Sequence, residues 1–260
     1  MDARSGQEKR LAVLIDADNT SASVVEPLFA EIAKYGTASV KRIYGDWTST
    51  SLQGWKKVLS TYAIHPIQQF RNTVGKNATD SAMIIDAMDL LYAGRFEGFC
   101  LVSSDSDFTR LASRIREAGI TVYGFGKRQT PASFVSACDK FIYFEILKRG
   151  GEEKSDAESG GKQSVRKPQD AGAIRKDAKL MELVCDAIDA VADDDGWADL
   201  GRVGETISNQ SPSFDSRNYG FGKLSTLIRA MGMFEMSPRQ AGSDPNRKNI
   251  LIRRKTPREG

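Results

Sequence analysis

The chain has 260 residues, enough for one large domain or two modest ones, and 40% of them are hydrophobic, which is enough for a core. The formal net charge of +3 is too small to identify a partner, but the basic residues are concentrated at the C-terminal end. No apolar run approaches the length of a membrane span, and Met1 to Arg10 lacks the apolar core of a signal peptide.

Histidine and cysteine usage excludes several kinds of site. His65 is the single histidine, which excludes metal sites and mechanisms that need several. Cys100, Cys138 and Cys185 are widely spaced and form no CxxC pair. This pattern is typical of buried thiols in a reducing compartment, so we expect a cytoplasmic protein.

The first predicted element is a strand at Leu11–Ile15, a continuous apolar run typical of a buried parallel strand. It is followed directly by Asp16. A second run of this kind, Gly98–Val102, is followed by Asp105 and Asp107. Ligands of open α/β sheets gather at the carboxyl ends of the strands. The two strand ends therefore predict a cation site.

The remaining elements of the N-terminal half alternate between helix and strand, which indicates right-handed βαβ units and a parallel sheet. The predicted helices are one capped by Ser21 or Ser23 and ending near Lys34, and others at 52–61, 80–92, 108–118 and 131–138. The further predicted strands are at 38–44, 63–70, 120–125 and 141–144.

Composition changes abruptly after the first half of the chain. Residues 149–173 are rich in Gly, Ser, Lys and Glu, with almost no large apolar side chain, which predicts a flexible linker. The second half begins with a helix from Ile174, followed by helices at 197–207 and 221–231 and strands at 233–238 and 249–253. Three helices and a β-ribbon are typical of a winged helix. The predicted domains are therefore 1–148, 149–173 and 174–260, the last with a basic tail.

Four acids are candidate metal ligands and catalytic residues: Asp16, Asp80, Asp105 and Asp107. Three follow strand ends and Asp80 opens a helix, so all four can converge on one edge of the sheet. Crowded carboxylates repel one another, and Mg²⁺ or Mn²⁺ relieves that repulsion. The alternative is that Asp80 only favours a helix N-terminus and Asp107 is an N-cap.

Three further polar residues have open roles. Asp86 lies six residues after Asp80, about 9 Å along the helix axis and about 120° round it, so both can hardly bind one ion directly. Asp86 can instead face polar partners. Asp18 and Asn19 either position metal-bound water or cap a turn.

Basic residues near these acids predict contacts to a phosphodiester. Arg71 and Lys76 lie in a polar loop before Asp80, and Lys127 and Arg128 follow the fifth strand. Lys76 is the strongest candidate for a role in cleavage, because its spacing places it beside Asp80. The alternative is that all four are ordinary surface charges.

Three segments together resemble the NYN family of PIN-like ribonucleases: LIDADN at a strand end, KNATDSAMIIDAMDLL, and VSSDSDF. The resemblance covers roughly residues 10 to 147. It implies a PIN-like (Rossmannoid) α/β fold, a parallel sheet flanked by helices, with acidic residues that bind divalent metal for RNA cleavage. The family's acidic positions match Asp16, Asp80, Asp105 and Asp107, with Asp86 a weaker match. By this resemblance the products carry a 5′-phosphate and a 3′-hydroxyl.

The second half, especially residues 214–224, resembles the OST-HTH or LOTUS domain, a small winged-helix (α+β) fold. This family is associated with RNA binding, and some members bind protein partners. Tyr219 and Phe221 are interpreted as core residues rather than base-stacking ones. Candidate RNA contacts are Arg217, Lys223, Arg247 and Lys248, together with Asn19, Arg71, Lys76, Lys127 and Arg128 of the first half. Arg253, Arg254, Lys255 and Arg258 are further candidates for contacts to a phosphate backbone. A solvated tail is the alternative for the last three of these residues.

The sequence thus predicts a two-domain, metal-dependent endoribonuclease that binds single-stranded or structured RNA. Two alternatives stay open. One is an RNA-binding adaptor with weak or no catalysis. The other is a haloacid-dehalogenase-like phosphatase, because residues 16–20 fit a DxDxT signature whose first Asp is the nucleophile. The spacing of Asp105 and Asp107 is too tight for that family's later acidic motif. The oligomeric state is left open.

Overall fold

The structure is a computed structural model that describes residues 8–70, 78–147, 174–240 and 248–255. The chain divides into two compact units, Met1–Ala157 and Glu158–Gly260. The predicted linker at 149–173 and the loop at 71–77 lie outside the described residues. The limits predicted for the domains therefore stay predictions.

The first unit contains a parallel sheet of six strands in the order β3-β2-β1-β4-β5-β6. Its two central strands, β1 and β4, are almost entirely buried, as their continuous apolar runs predict. The strands are β1 (Arg10–Asp16), β2 (Thr37–Gly45), β3 (His65–Gln68), β4 (Gly98–Val102), β5 (Thr121–Gly126) and β6 (Lys140–Tyr143).

Helices cover both faces of this sheet, so the predicted α/β class is confirmed. Alternate residues of β1 point to opposite faces: Leu11, Val13 and Ile15 pack in one core cluster, and Ala12 and Leu14 in the other. The helices are α1 (Val25–Ile32), α2 (Gln53–Lys56), α3 (Leu59–Tyr62), α4 (Ala78–Tyr92), α5 (Thr109–Glu117), α6 (Ala132–Ala137) and α7 (Phe144–Leu147).

The single helix predicted at 52–61 is wrong, because the structure breaks it into α2 and α3. Trp55 is buried and its indole donates to the Thr20 carbonyl over 2.9 Å, which anchors α2 to the core. Val58 N–H then bonds to the Trp55 carbonyl, three residues back, and the regular ladder is interrupted. Ala63 ends α3 in the left-handed region (φ 49°), so β3 begins at His65 rather than at 63.

In its described residues, the second unit has three helices of eight residues or more and a three-stranded antiparallel sheet in the order β7-β9-β8, which confirms the winged-helix prediction. Its core joins side chains of all three helices to the sheet. The elements are α8 (Ala178–Val191), β7 (Ala198–Asp199), α9 (Leu200–Gln210), α10 (Leu224–Met231), β8 (Phe234–Gln240) and β9 (Lys248–Arg254).

Three helix starts of this unit differ from the sequence prediction. The helix predicted from Ile174 is interrupted at residues 176–177, and α8 begins at Ala178, where the Asp177 side chain caps it by accepting the N–H of Leu180. The helix predicted from Trp197 begins at Leu200, because Ala198 pairs with β9 and Asp199 caps the helix by accepting from two backbone N–H groups. The helix predicted from 221 begins at Leu224. Tyr219 and Phe221 pack against the core of this unit, as predicted.

All three cysteines are free, with Cys100 and Cys138 buried and Cys185 partly buried. Burial raises the pKa of the Cys138 thiol to about 12, so it stays protonated at neutral pH.

Across the described parts of the chain, no helix combines the length and the apolar character that a membrane crossing requires.

Candidate metal centre

Three carboxylates meet at the carboxyl edge of the parallel sheet. Asp105 and Asp107 follow β4, and Asp80 lies in the first turn of α4, which starts at the same edge. One oxygen from each of the three lies within 4.8 Å of the others. The structure therefore brings together three of the four acids that the sequence singled out. Carboxylate oxygens at this spacing are the donor set that Mg²⁺ and Mn²⁺ prefer.

Asp16, the fourth predicted ligand, lies at the end of β1 but outside that group of three. Its side chain is only 1% exposed. Oδ1 accepts the backbone N–H groups of Asp18 (3.0 Å) and Asn19 (3.2 Å). Oδ2 accepts Nδ2 of Asn19 (2.6 Å) and Oγ of Ser103 (2.8 Å). These four bonds occupy the four lone-pair positions of a carboxylate.

Burial raises the pKa of Asp16, while its four hydrogen bonds act in the opposite direction. The carboxylate still contributes charge to the centre, because it is one of the groups that raise the pKa of Asp80. With its oxygens enclosed, Asp16 is poorly placed for direct attack on a substrate. This geometry argues against the nucleophilic role that the phosphatase alternative requires.

Ser103 is a site residue that the sequence analysis missed. It is completely buried at the end of β4, donates to Asp16, and accepts the backbone N–H of Asp105 at 3.1 Å. The hydroxyl thus connects the end of β1 to the start of the acidic loop. A polar residue that interrupts an apolar run just before two acids was the available signal.

Asp105 has a structural role beside its place in the cluster. Its side chain caps the short 3-10 turn Ser106–Phe108 by accepting the N–H of Asp107 at 3.0 Å. The cap is therefore Asp105 and not Asp107, contrary to the alternative considered from the sequence. This bond orients the loop so that both carboxylates face Asp80.

The electrostatics of Asp80 show how crowded the site is. Desolvation by burial, together with the charges of Asp16, Asp105, Asp107 and Asp18, raises its pKa to about 6. A carboxyl in this position is costly to ionise when no cation is present. The donor set therefore fits a divalent cation, with Asp80, Asp105 and Asp107 as the residues that would hold it.

Asp86 lies away from the cluster, on the same helix as Asp80. Its Oδ2 accepts hydrogen bonds from Arg42 Nη1 (2.8 Å) and Tyr44 Oη (2.9 Å), both on β2. The prediction that Asp86 faces polar partners is confirmed. The sequence analysis identified neither of these partners of Asp86. Tyr44 is also the residue that pairs with Asp16 in the register of β1 and β2.

The predicted basic residues of the first unit fall into two groups. Lys127 and Arg128 follow β5 and are exposed, next to the acidic loop: the Lys127 N–H donates to Ser104 Oγ at 2.9 Å. The Arg128 guanidinium lies 5.8 Å from the Tyr143 ring centroid. Arg71 and Lys76 lie outside the described residues. Asn19 bonds to Asp16, as described above, so its first role is to orient that carboxylate.

The candidate RNA-binding residues of the second unit that the structure describes differ in whether an ion pair neutralises their charge. Arg217 is held by Asp215 through Nε (3.0 Å) and Nη2 (2.7 Å), which partly neutralises it. Lys223 is exposed at the start of α10. Arg247 and the Lys248 side chain lie outside what the structure describes.

Residues 10–147, just over half of the chain, match the NYN domain. The chain belongs to the NYN family. NYN domains are PIN-like and form a nuclease family, which agrees with the parallel sheet and with the acids at its carboxyl edge. Residues 175–245 match the OST-HTH/LOTUS domain, a family associated with RNA binding, so the second unit is a domain of that kind.

Three solved structures resemble parts of this NYN protein. A crystal structure of a Vibrio parahaemolyticus protein of unknown function is 19% identical, with a TM-score of 0.45, covering 54% of this chain and 95% of that one. An uncharacterised Nitrosomonas europaea protein, solved by NMR, is 32% identical (TM-score 0.29; 39% and 93% covered). An NMR structure from Chromobacterium violaceum is 36% identical (TM-score 0.24; 29% and 78% covered). No protein of curated function matches the chain.

Proposed function

We propose that this protein is a metal-dependent endoribonuclease whose NYN domain hydrolyses RNA phosphodiester bonds and whose OST-HTH/LOTUS domain supplies RNA affinity. The observation that carries the proposal is the group formed by Asp80, Asp105 and Asp107, with oxygens within 4.8 Å of one another at the carboxyl edge of a NYN sheet. Ligands of parallel α/β sheets bind at this edge.

In this proposal Asp80, Asp105 and Asp107 bind Mg²⁺ or Mn²⁺. A divalent cation bound there supplies a Lewis acid that lowers the pKa of water and neutralises charge on phosphate. Asp16 adds negative charge to the site from its enclosed position, and Ser103 and Asn19 fix the orientation of that carboxylate. The sequence analysis placed Asp16 among the direct ligands. The four bonds to its oxygens instead favour a supporting role.

The proposal assigns RNA contacts to two sets of side chains. Lys127 and Arg128 lie beside the acidic loop, where they would contact phosphates that flank the reacting one. Lys223 offers an exposed cation on the OST-HTH/LOTUS domain. We keep Arg71, Lys76, Asn19, Arg217, Arg247 and Lys248 as further candidates. The three free cysteines support a reducing, cytoplasmic location.

An RNA cleavage assay with and without a chelator tests the proposal. We expect Mg²⁺ or Mn²⁺ to support cleavage of single-stranded RNA and EDTA to abolish it, with activity restored by added metal. A phosphomonoester in the same assay distinguishes the phosphatase alternative and should not be hydrolysed. RNA binding without any metal-dependent cleavage would instead identify an adaptor, for which a protein partner of the LOTUS domain becomes the next question.

A further inference from the structure

A partly buried polar network connects α4 to β2. One oxygen of Asp86 accepts two hydrogen bonds, from Arg42 at 2.8 Å and from Tyr44 at 2.9 Å. Arg42 and Asp86 are each about 30% exposed (32% and 28%), whereas Tyr44 is completely buried. A bond to an ionised acceptor that is partly withdrawn from water is stronger than an ordinary surface contact.

The position of Tyr44 relates this network to the proposed metal centre. Tyr44 pairs with Asp16 in the register of β1 and β2, and its ring lies in the same core cluster as Ala12 and Leu14. Asp86 is on α4, the helix whose first turn contributes Asp80. The network therefore joins the helix that carries one proposed ligand to the strand beside Asp16.

The apolar pattern of α4 does not by itself fix the rotation of this helix. Met83 and Ala87 are buried against the sheet, yet Ile85 and Tyr92, on the outer side, are 62% and 72% exposed. Because apolar side chains surround much of the helix, more than one face could cover the sheet. A hydrogen-bonded contact with strict geometry can select one of these rotations, as a single polar residue sets the helix register in some coiled coils.

We propose that Arg42, Asp86 and Tyr44 form a positioning network for the metal centre, which holds α4 in the rotation that places Asp80 opposite Asp105 and Asp107. This inference rests on the proposed function. The three residues are positioning residues and not ligands, since Asp86 lies about 9 Å along the helix from Asp80 and about 120° round it. The network is thereby expected to set how tightly the cluster binds a cation.

Mn²⁺ titration of the full chain by calorimetry tests the network, with Tyr44→Phe and Asp86→Asn as variants. Tyr44→Phe removes only the hydroxyl and keeps the ring in the core. We expect each variant to raise the Mn²⁺ Kd about tenfold or more, the range found for groups that orient metal ligands. The double variant should bind no more weakly than Asp86→Asn alone, because the two groups act as one unit.

Asp139→Asn is the matched control. Asp139 also accepts from an arginine, Arg116 (2.9 Å), and from a second donor, the Val122 N–H (2.8 Å), but at the amino ends of the strands. We expect all three variants to lower the melting temperature, because each loses a hydrogen bond, but Asp139→Asn should keep the wild-type Mn²⁺ Kd and kcat. If Tyr44→Phe and Asp86→Asn also kept the wild-type Mn²⁺ Kd and kcat, the network would be structural only and the inference would be overturned.

Hydrogen exchange separates a failure of this inference from a failure of the proposed function. In metal-free protein, the amides of residues 82–86 should lose protection in Tyr44→Phe and Asp86→Asn but not in Asp139→Asn. Unchanged protection refutes the network even if the wild type cleaves RNA. Lost protection in a protein that neither binds Mn²⁺ nor cleaves RNA supports the positioning of α4 and rejects the nuclease.

Discussion

The hydroxyl of Ser103 lies 2.8 Å from Oδ2 of Asp16 and joins the carboxyl ends of the two central strands of the sheet. Both side chains are buried, and the Ser103 oxygen also accepts the N–H that begins the acidic loop. Asp16 thus has a donor at each of its four acceptor positions. Even an isosteric amide at position 16 would place an NH₂ group against two of these donors.

Replacing Ser103 with Ala removes the donor to a buried carboxylate and the acceptor for Asp105. We expect the free energy of unfolding to fall by about 1–3 kcal/mol, the usual cost of leaving a buried polar group unsatisfied. Cleavage per folded molecule should fall as well, because the acidic loop loses its anchor. Chemical denaturation and RNA cleavage measure the two effects. Ser113→Ala, which removes a hydroxyl bond within α5, is the control and should keep the wild-type turnover.

The pKa of Asp80, raised to about 6 from 3.8, makes the stability of the metal-free protein depend on pH. Between these values the folded state holds a proton that the unfolded chain has released. The contribution of Asp80 to the free energy of unfolding therefore falls as the pH rises from about 4 to about 6. Melting in EDTA should show Asp80→Asn gaining stability over the wild type as the pH rises. Asp89→Asn, an exposed acid of the same helix, should show no such gain.

Lys76 stays a sequence-based prediction, since it lies outside the described residues. Its replacement by Ala should slow cleavage by about ten- to a hundredfold, or about 1.4–2.7 kcal/mol of barrier, through loss of a cation near the reacting phosphate. Single-turnover kinetics measure this effect, with Lys57→Ala as the control. A large fall in melting temperature with unchanged turnover per folded molecule would make Lys76 a structural residue.

The OST-HTH/LOTUS domain should fold without the NYN domain, because it has a separate hydrophobic core. A fragment of residues 174–260 is expected to unfold cooperatively and to bind RNA more weakly as salt rises. Lys223→Ala should weaken binding and reduce the salt dependence by about one released counterion. Fluorescence anisotropy at several salt concentrations measures both effects. An unfolded fragment, or affinity that resides wholly in residues 1–148, would refute the separate RNA-binding role.

The sequence was sufficient for the parts of the fold that depend on continuous or periodic apolar patterns. The buried run of β1, the helix that opens near Asp80 and the run of β4 all appear where they were predicted. These patterns reflect burial, which dominates the energetics of central strands. The three clustered acids could be predicted for the same reason, because they follow from where the central elements begin and end.

The sequence was not sufficient where specific contacts override local propensity. Trp55 divides a predicted helix because its indole bonds to a distant carbonyl, and Ala198 joins the sheet instead of α9. The roles of Ser103 and Tyr44 depend on partners 87 and 42 positions away in the chain. Such pairings arise only from the tertiary arrangement, so no local pattern could identify them.

The most direct test of the account compares cleavage and stability in Asp80→Asn. This change removes a charge that Asp16, Asp105 and Asp107 disfavour, so the metal-free protein should melt at a higher temperature than the wild type at pH 7. Mn²⁺-supported RNA cleavage should nevertheless fall by about a hundredfold or more, through loss of a metal ligand. A protein that is more stable yet inactive cannot owe its inactivity to unfolding. Wild-type cleavage by Asp80→Asn would contradict the metal centre proposed here.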